Sequence, residues 1–163
     1  MKKELIIFKS KYLVKKHFYI FLLLLITLIF FSSILSSSRI VGNIHYINDM
    51  TFQSENIRKS LHEFEVFPLW TPYFYSGEPF MAIPEHYLFD LNFLYILLFK
   101  NIFLAMNLAV ISYFFLAGLG MYLLIYEILR KQNIAFIASL IFMFNGVIQK
   151  FALAGHLNIV ESY

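Results

Sequence analysis

The chain has 163 residues, of which 60% are hydrophobic, 20% aromatic and 14% charged, with a mean hydropathy of +0.71. Soluble domains carry about 25% charged residues, so this is the composition of a membrane protein. Cysteine is absent, which excludes disulfides, thiolate metal sites and cysteine nucleophiles.

The net charge of +3 matters less than its distribution. Lys2, Lys3, Lys9, Lys11, Lys15 and Lys16 crowd the start of the chain. Beside a long apolar run, such a flank (residues 1–17) reads as cytoplasmic and held by anionic lipid, not as a nucleic-acid contact. A membrane-crossing helix needs roughly 20 mainly apolar residues. Residues 18–35, "FYIFLLLLITLIFFSSIL", are the first predicted span. The alternative, a cleaved signal peptide, is opposed by the long flank and by an unconvincing small-residue cleavage site.

Residues 36–90 then form one external loop containing seven acids and three basic residues. A long ordered loop usually has a function. From Asp49 to about Glu65 the pattern is helical. Met50, Ile57, Leu61 and Phe64 make an apolar face, while Asp49, Gln53, Asn56 and Ser60 make a polar stripe beside it. This predicts an amphipathic helix at the membrane interface. On helix physics alone Asp49 is a cap in its first turn.

The second part of the loop, "FPLWTPYFYSGEPFMAIPEHY", holds all four prolines and the single tryptophan. Proline fixes its own φ and biases the preceding residue toward extended conformations. Ser76–Gly77 reads as a tight turn. Trp70, Tyr73, Phe74, Tyr75 and Phe80 either anchor the loop at the headgroup boundary or wall a cavity. A belt of rings does not need four prolines, so a shaped site is the better expectation.

Residues 91–99 are apolar but too short to cross, which predicts an interfacial or re-entrant segment packed on other helices. Residues 102–126 and 134–154 are the second and third spans, joined by residues 127–133 with Arg130 and Lys131 on the cytoplasmic side. Residues 155–163 return outside. The expected class is an all-α integral membrane protein with about three transmembrane helices. Its external loop carries an interfacial amphipathic helix and a Pro/aromatic-rich segment, and its amino terminus is cytoplasmic. Ala117, Gly118 and Gly120 allow close helix approach, and Asn107 and Ser112 are expected to bond between helices.

The stretches "NDMTFQ", "FPLWTPYFYSGEPFMA", "AGLGMYLL" and "AGHLNIV", in this order and at these intervals, carry a resemblance. They are similar to the amino-terminal part of bacterial YfhO-like proteins and their relatives in the GT-C glycosyltransferase superfamily. The similarity covers most of the chain from about Asp49 onward. Thr71 stands where the pattern has Asn, Glu85 where it has Gln, and Asp90 where a Pro often precedes Leu-Asn.

The resemblance implies transfer of a sugar from a polyprenyl-phosphate carrier to an extracytoplasmic glycan or lipid acceptor at the cell membrane. It moves Asp49 from cap to catalytic base, a role a carboxylate suits as the anomeric carbon develops positive charge. Gln53 would orient Asp49 or bind a sugar hydroxyl. Arg58, Lys59, Lys150 and His156 are candidates for the phosphate. The plain alternatives are solvation for Arg58 and Lys59 and snorkelling for Lys150. Trp70, Tyr73, Glu85 and His86 are candidate substrate contacts. A divalent cation is a candidate cofactor, although a neighbouring carboxylate and imidazole are weak evidence for one. Because members of this superfamily have many more spans, the 163 residues are expected to be the amino-terminal portion of a longer protein and inactive alone. The competing expectation is a non-catalytic membrane scaffold or transporter subunit whose loop binds a partner.

Overall fold

The computed structural model describes residues 17–35, 44–73, 76–80, 90–147 and 149–150; for residues 44–50 it describes the backbone alone. These residues are mostly helical. The helices are α1 (His17–Phe30), α2 (Ser32–Leu35), α3 (Ile44–His62), α4 (Leu91–Leu98), α5 (Ile102–Leu129) and α6 (Gln132–Met143). Two short strands, β1 (Trp70–Thr71) and β2 (Glu78–Pro79), lie between α3 and α4.

The predicted second span is α5, which starts at Ile102 as expected and runs on to Leu129. Asn101 caps it, its side-chain oxygen accepting from the backbone N–H groups of Phe103 and Leu104 at 3.0 and 3.2 Å. Among the described residues, α5 is the one helix long and apolar enough to cross a membrane by itself. Arg130 closes it in a left-handed conformation, φ 54°. The expected connection of residues 127–133 therefore shrinks to Arg130 and Lys131.

The predicted first span is a helix with a break. α1 and α2 meet at Phe31, where the backbone bonds continue from Phe31 N–H to Thr27 O and from Leu35 N–H to Phe31 O. The break follows from Ser32, whose hydroxyl donates to the Ile29 carbonyl at 2.8 Å and competes with the helical ladder. The predicted third span is also interrupted. α6 ends at Met143, and Asn145 caps a further turn by accepting from Val147 N–H at 2.8 Å. An Asn–Gly pair after an apolar run is a helix-stop signal. Residues 151–163 lie outside the described residues.

α1–α2, α5 and α6 pack together in alternating directions. Tyr19 lies against Tyr122, Phe31 against Phe114, and Asn107 Nδ2 donates to Ile34 O at 3.1 Å, so α1–α2 runs antiparallel to α5. Tyr19 also meets Phe136 and donates to Asn133 at 2.5 Å, and Phe30 meets Phe144; α1–α2 therefore runs parallel to α6. Leu23, Met106, Val110, Tyr122, Ala135 and Met143 form their shared core. The outward faces remain apolar: Phe21, Ile29, Ile137 and Ile141 are 62, 64, 56 and 71% exposed. The start of α1 and the Arg130–Lys131 turn lie at one end of this bundle, and α3, α4 and the strands lie at the other.

The small residues of α5 differ in use. A Cβ at Gly118 would stand 2.8 Å from Met143 Sδ, so this glycine permits the α5–α6 contact. At Gly120 a Cβ would meet nothing within 4 Å. Gly118→Val is expected to destabilise the fold by about 1–3 kcal/mol through overpacking. Gly120→Ala is expected to be neutral or to stabilise by up to about 1 kcal/mol through helix propensity. Reversible unfolding in detergent, with the two variants side by side, checks both.

Candidate functional site

α3 is longer at its start than the sequence pattern suggests, beginning at Ile44 and ending at His62. Asp49 therefore belongs to the body of the helix, and no acidic residue occupies its first turn. The cap reading of Asp49 does not fit this geometry. Phe64 lies past the helix end and is 59% exposed, so it is no part of the helix's apolar face.

That apolar face is buried against the first turns of α5. Ile57 forms a small core with Phe80, Ile96 and Ala105, flanked by Leu61, Phe93 and Tyr95. α4, the expected non-spanning segment, is wedged into the same place. Asp90 starts it, Oδ1 accepting from Phe93 N–H at 2.7 Å and Oδ2 accepting from the Tyr113 hydroxyl of α5 at 3.3 Å. The same Tyr113 oxygen accepts from Leu91 N–H at 3.2 Å. Tyr95 and Ser112 share a hydrogen bond of 2.7 Å, Asn92 Nδ2 donates to Ser54 Oγ at 3.0 Å, and His62 Nε2–H donates to Ile96 O at 2.6 Å. Asn107 and Ser112 thus bond between helices, as the sequence suggested.

The proline stretch folds back on itself as a hairpin. β1 and β2 pair antiparallel, Trp70 opposite Pro79 and Thr71 opposite Glu78, and Phe80 N–H donates to Leu69 O at 2.9 Å. The turn between them carries positive φ at both Ser76 (68°) and Gly77 (108°). Positive φ is cheapest at glycine. The indole of Trp70 covers Gly77 so closely that a Cβ there would stand 2.6 Å from Cζ2. Phe80, only 1% exposed, pins the hairpin to α3 and α5.

Between the hairpin and the carboxyl-terminal half of α3 lies a pocket of about 140 Å³. Asn56 and Ser60, two members of the polar stripe, line it from α3, and Trp70, Thr71, Tyr73 and Phe80 from the hairpin. These two face the pocket, and Asn56 is only 5% exposed. Buried polar atoms on α3 lack hydrogen-bond partners: Thr51 Oγ1, Gln53 Oε1 and Asn56 Nδ2. Each such atom costs about 1–3 kcal/mol when left unpaired, and of the three Asn56 lines the pocket.

The charged residues sort themselves differently from expectation. Arg58 is held by Glu55 (2.7 and 2.5 Å) and by Glu63 (2.7 Å). Hydrogen bonding to Arg58 holds the Glu55 carboxyl below its ordinary range, against an opposing effect of burial, and the Glu55 and Glu63 carboxylates push Arg58 up. Arg58 is therefore committed to its neighbours, although the sequence offered it as a phosphate ligand. Lys59 sits over the Tyr73 ring, 5.2 Å from its centroid, and Tyr73 packs edge-on against Phe52. Among the described residues no group of three or more His, Asp or Glu side chains comes together. Glu85, His86 and His156 lie outside the described residues. Asn56, Ser60 and Thr71 were not singled out as ligand contacts, although the spacing of 56 and 60 from Asp49 and Gln53 was the signal that could have found two of them.

No protein-family model, curated protein or solved structure matches the chain. The site is therefore read on its own geometry. Gly77→Ala places a side chain in a backbone region L-residues rarely adopt and against the Trp70 ring. The expected cost is about 1–3 kcal/mol. It is checked by the thermal midpoint together with a red shift of the emission of Trp70, the chain's single tryptophan.

Proposed function

We propose that the chain belongs to a membrane glycosyltransferase of the GT-C type, which passes a sugar from a polyprenyl-phosphate carrier to a glycan or lipid acceptor outside the cell membrane. The observation that carries this reading is the ordered set "NDMTFQ", "FPLWTPYFYSGEPFMA", "AGLGMYLL" and "AGHLNIV" in one chain. The packing of the helices supports it. Residues 17–35, α5 and α6 run in alternating directions, which suits the three crossings this reading requires. The lysine-rich flank enters α1 at the end where Arg130 and Lys131 lie, and positive residues favour the cytoplasm. α3 and the hairpin are then outside, the side on which carrier-linked sugars are transferred.

In this reading Asp49 takes the proton of the acceptor hydroxyl as its oxygen bonds to the anomeric carbon. The bond from that carbon to the carrier phosphate breaks, and its electron pair leaves on the phosphate oxygen. The leaving group needs no general acid, since cations or N–H donors can stabilise it. With Arg58 engaged by Glu55 and Glu63, that role falls to Lys59, Lys150 and His156. Gln53, one helical turn after Asp49, has an unpartnered carbonyl oxygen suited to a sugar hydroxyl.

Asp49→Asn in the native protein is expected to lower sugar transfer by about 10²–10⁴-fold while leaving its membrane level unchanged. Retained transfer would return the loop to a binding role. Because the chain has no cysteine, Ser76→Cys reports sidedness without background. An impermeant maleimide is expected to label it in intact cells. Labelling only after lysis would overturn the external placement.

A further inference from the structure

The pocket between α3 and the hairpin has three properties that a carrier phosphate does not explain. Among the described residues its lining contains no ionised side chain. Its walls are mainly rings, prolines and Val66. Of its polar residues Thr71 is the most buried, and the Asn56 amide, 5% exposed, has no partner at Nδ2. An amide turns about its last torsion between two roughly equivalent settings, so this one can present an N–H to a ligand oxygen.

Depth is the fourth property. The 28 residues of α5 extend about 42 Å, and a hydrocarbon core is about 30 Å thick. With Arg130 at one interface, the first turns of α5 lie in the opposite interfacial zone. Ala105, in those turns, touches Ile57 and Phe80, which set the level of α3 and the hairpin. At that level the rim is apolar and open: Phe64, Val66, Leu69 and Trp70 are 59, 55, 56 and 57% exposed. A Trp- and Phe-bearing rim at the lipid–water boundary is a surface for acyl chains.

Size narrows the ligand. A cavity of roughly 150 Å³ accommodates a benzene-sized group, so a pocket of about 140 Å³ takes one short segment of a molecule and leaves the rest outside. In the interfacial zone, the abundant neutral group that joins an apolar segment to a hydrogen-bond acceptor is the ester of an acylglycerol.

We propose that this pocket is an interfacial lipid site that takes the ester of a neutral acylglycerol, its carbonyl oxygen accepting a hydrogen bond from the Asn56 amide while the acyl chain follows the exposed rim. The proposal rests on the membrane placement of α5 and not on sugar transfer. Asp49→Asn, which abolishes transfer in the reading above, leaves this binding intact.

Trp70 lines the pocket and is the chain's single tryptophan, so its emission reports occupancy. The purified protein in maltoside micelles is titrated with monolauroylglycerol and with 1-O-dodecylglycerol, which lacks the carbonyl. The ester is expected to bind about fivefold tighter, as loss of one neutral hydrogen bond implies. Asn56→Leu is expected to reduce ester binding to the level of the ether. Equal affinities for the two probes in the unaltered protein would overturn the carbonyl contact, whether or not the variant folds. Displacement by dodecyl phosphate at lower concentration than by the ester would also overturn the proposal, making the pocket an anionic-headgroup site.

Discussion

α5 can exist only if its apolar surface is kept from water along its whole length, and that constraint organises everything around it. Its carboxyl-terminal half is covered by α1 and α6 through Leu23, Phe114, Tyr122, Ala135 and Met143. Its first turns are covered by α3, α4 and the hairpin through Ala105, Ile57, Ile96 and Phe80. Hydrophobic association is weak between helices surrounded by lipid, so close contact and satisfied polar groups must hold such a bundle together. The small side at Gly118 and the bonds of Asn107, Ser112 and Tyr113 supply both along α5.

Much of this was legible in the sequence. The apolar run from Ile102, the polar stripe on α3 and the proline-bounded turn at Ser76–Gly77 each reflect a local rule: apolar length, helical period and positive φ. The helix ends were less legible because they depend on single side chains. Asp90 before "LNFL" and Asn101 before "IFLA" are cap residues that read as loop until their bonds to Phe93, Phe103 and Leu104 are seen. The breaks at Phe31 and after Met143 depend on Ser32 and Asn145, which an average over an apolar window dilutes.

The functional residues divide along the same line. Periodicity placed Asn56 and Ser60 together but gave no sign of what they face. The answer lies in the hairpin, which comes back over α3 only because Phe80 is anchored under it. Arg58 shows the opposite case. Its charge is visible in the sequence, but its engagement by Glu55, three residues earlier on α3, and by Glu63, just past the helix end, is a matter of side-chain geometry.

The turn between α5 and α6 consists of Arg130 and Lys131 alone. A connection this short joins the two helices into one hairpin whose contacts are close in sequence, and such contacts form early and quickly. α6 is brief and carries the buried polar residues Gln132 and Ser139. Tied to α5 by two residues, it folds as the second arm of a local pair, and α1–α2, a hundred or so positions away along the chain, is the part that must find that pair by a long-range search.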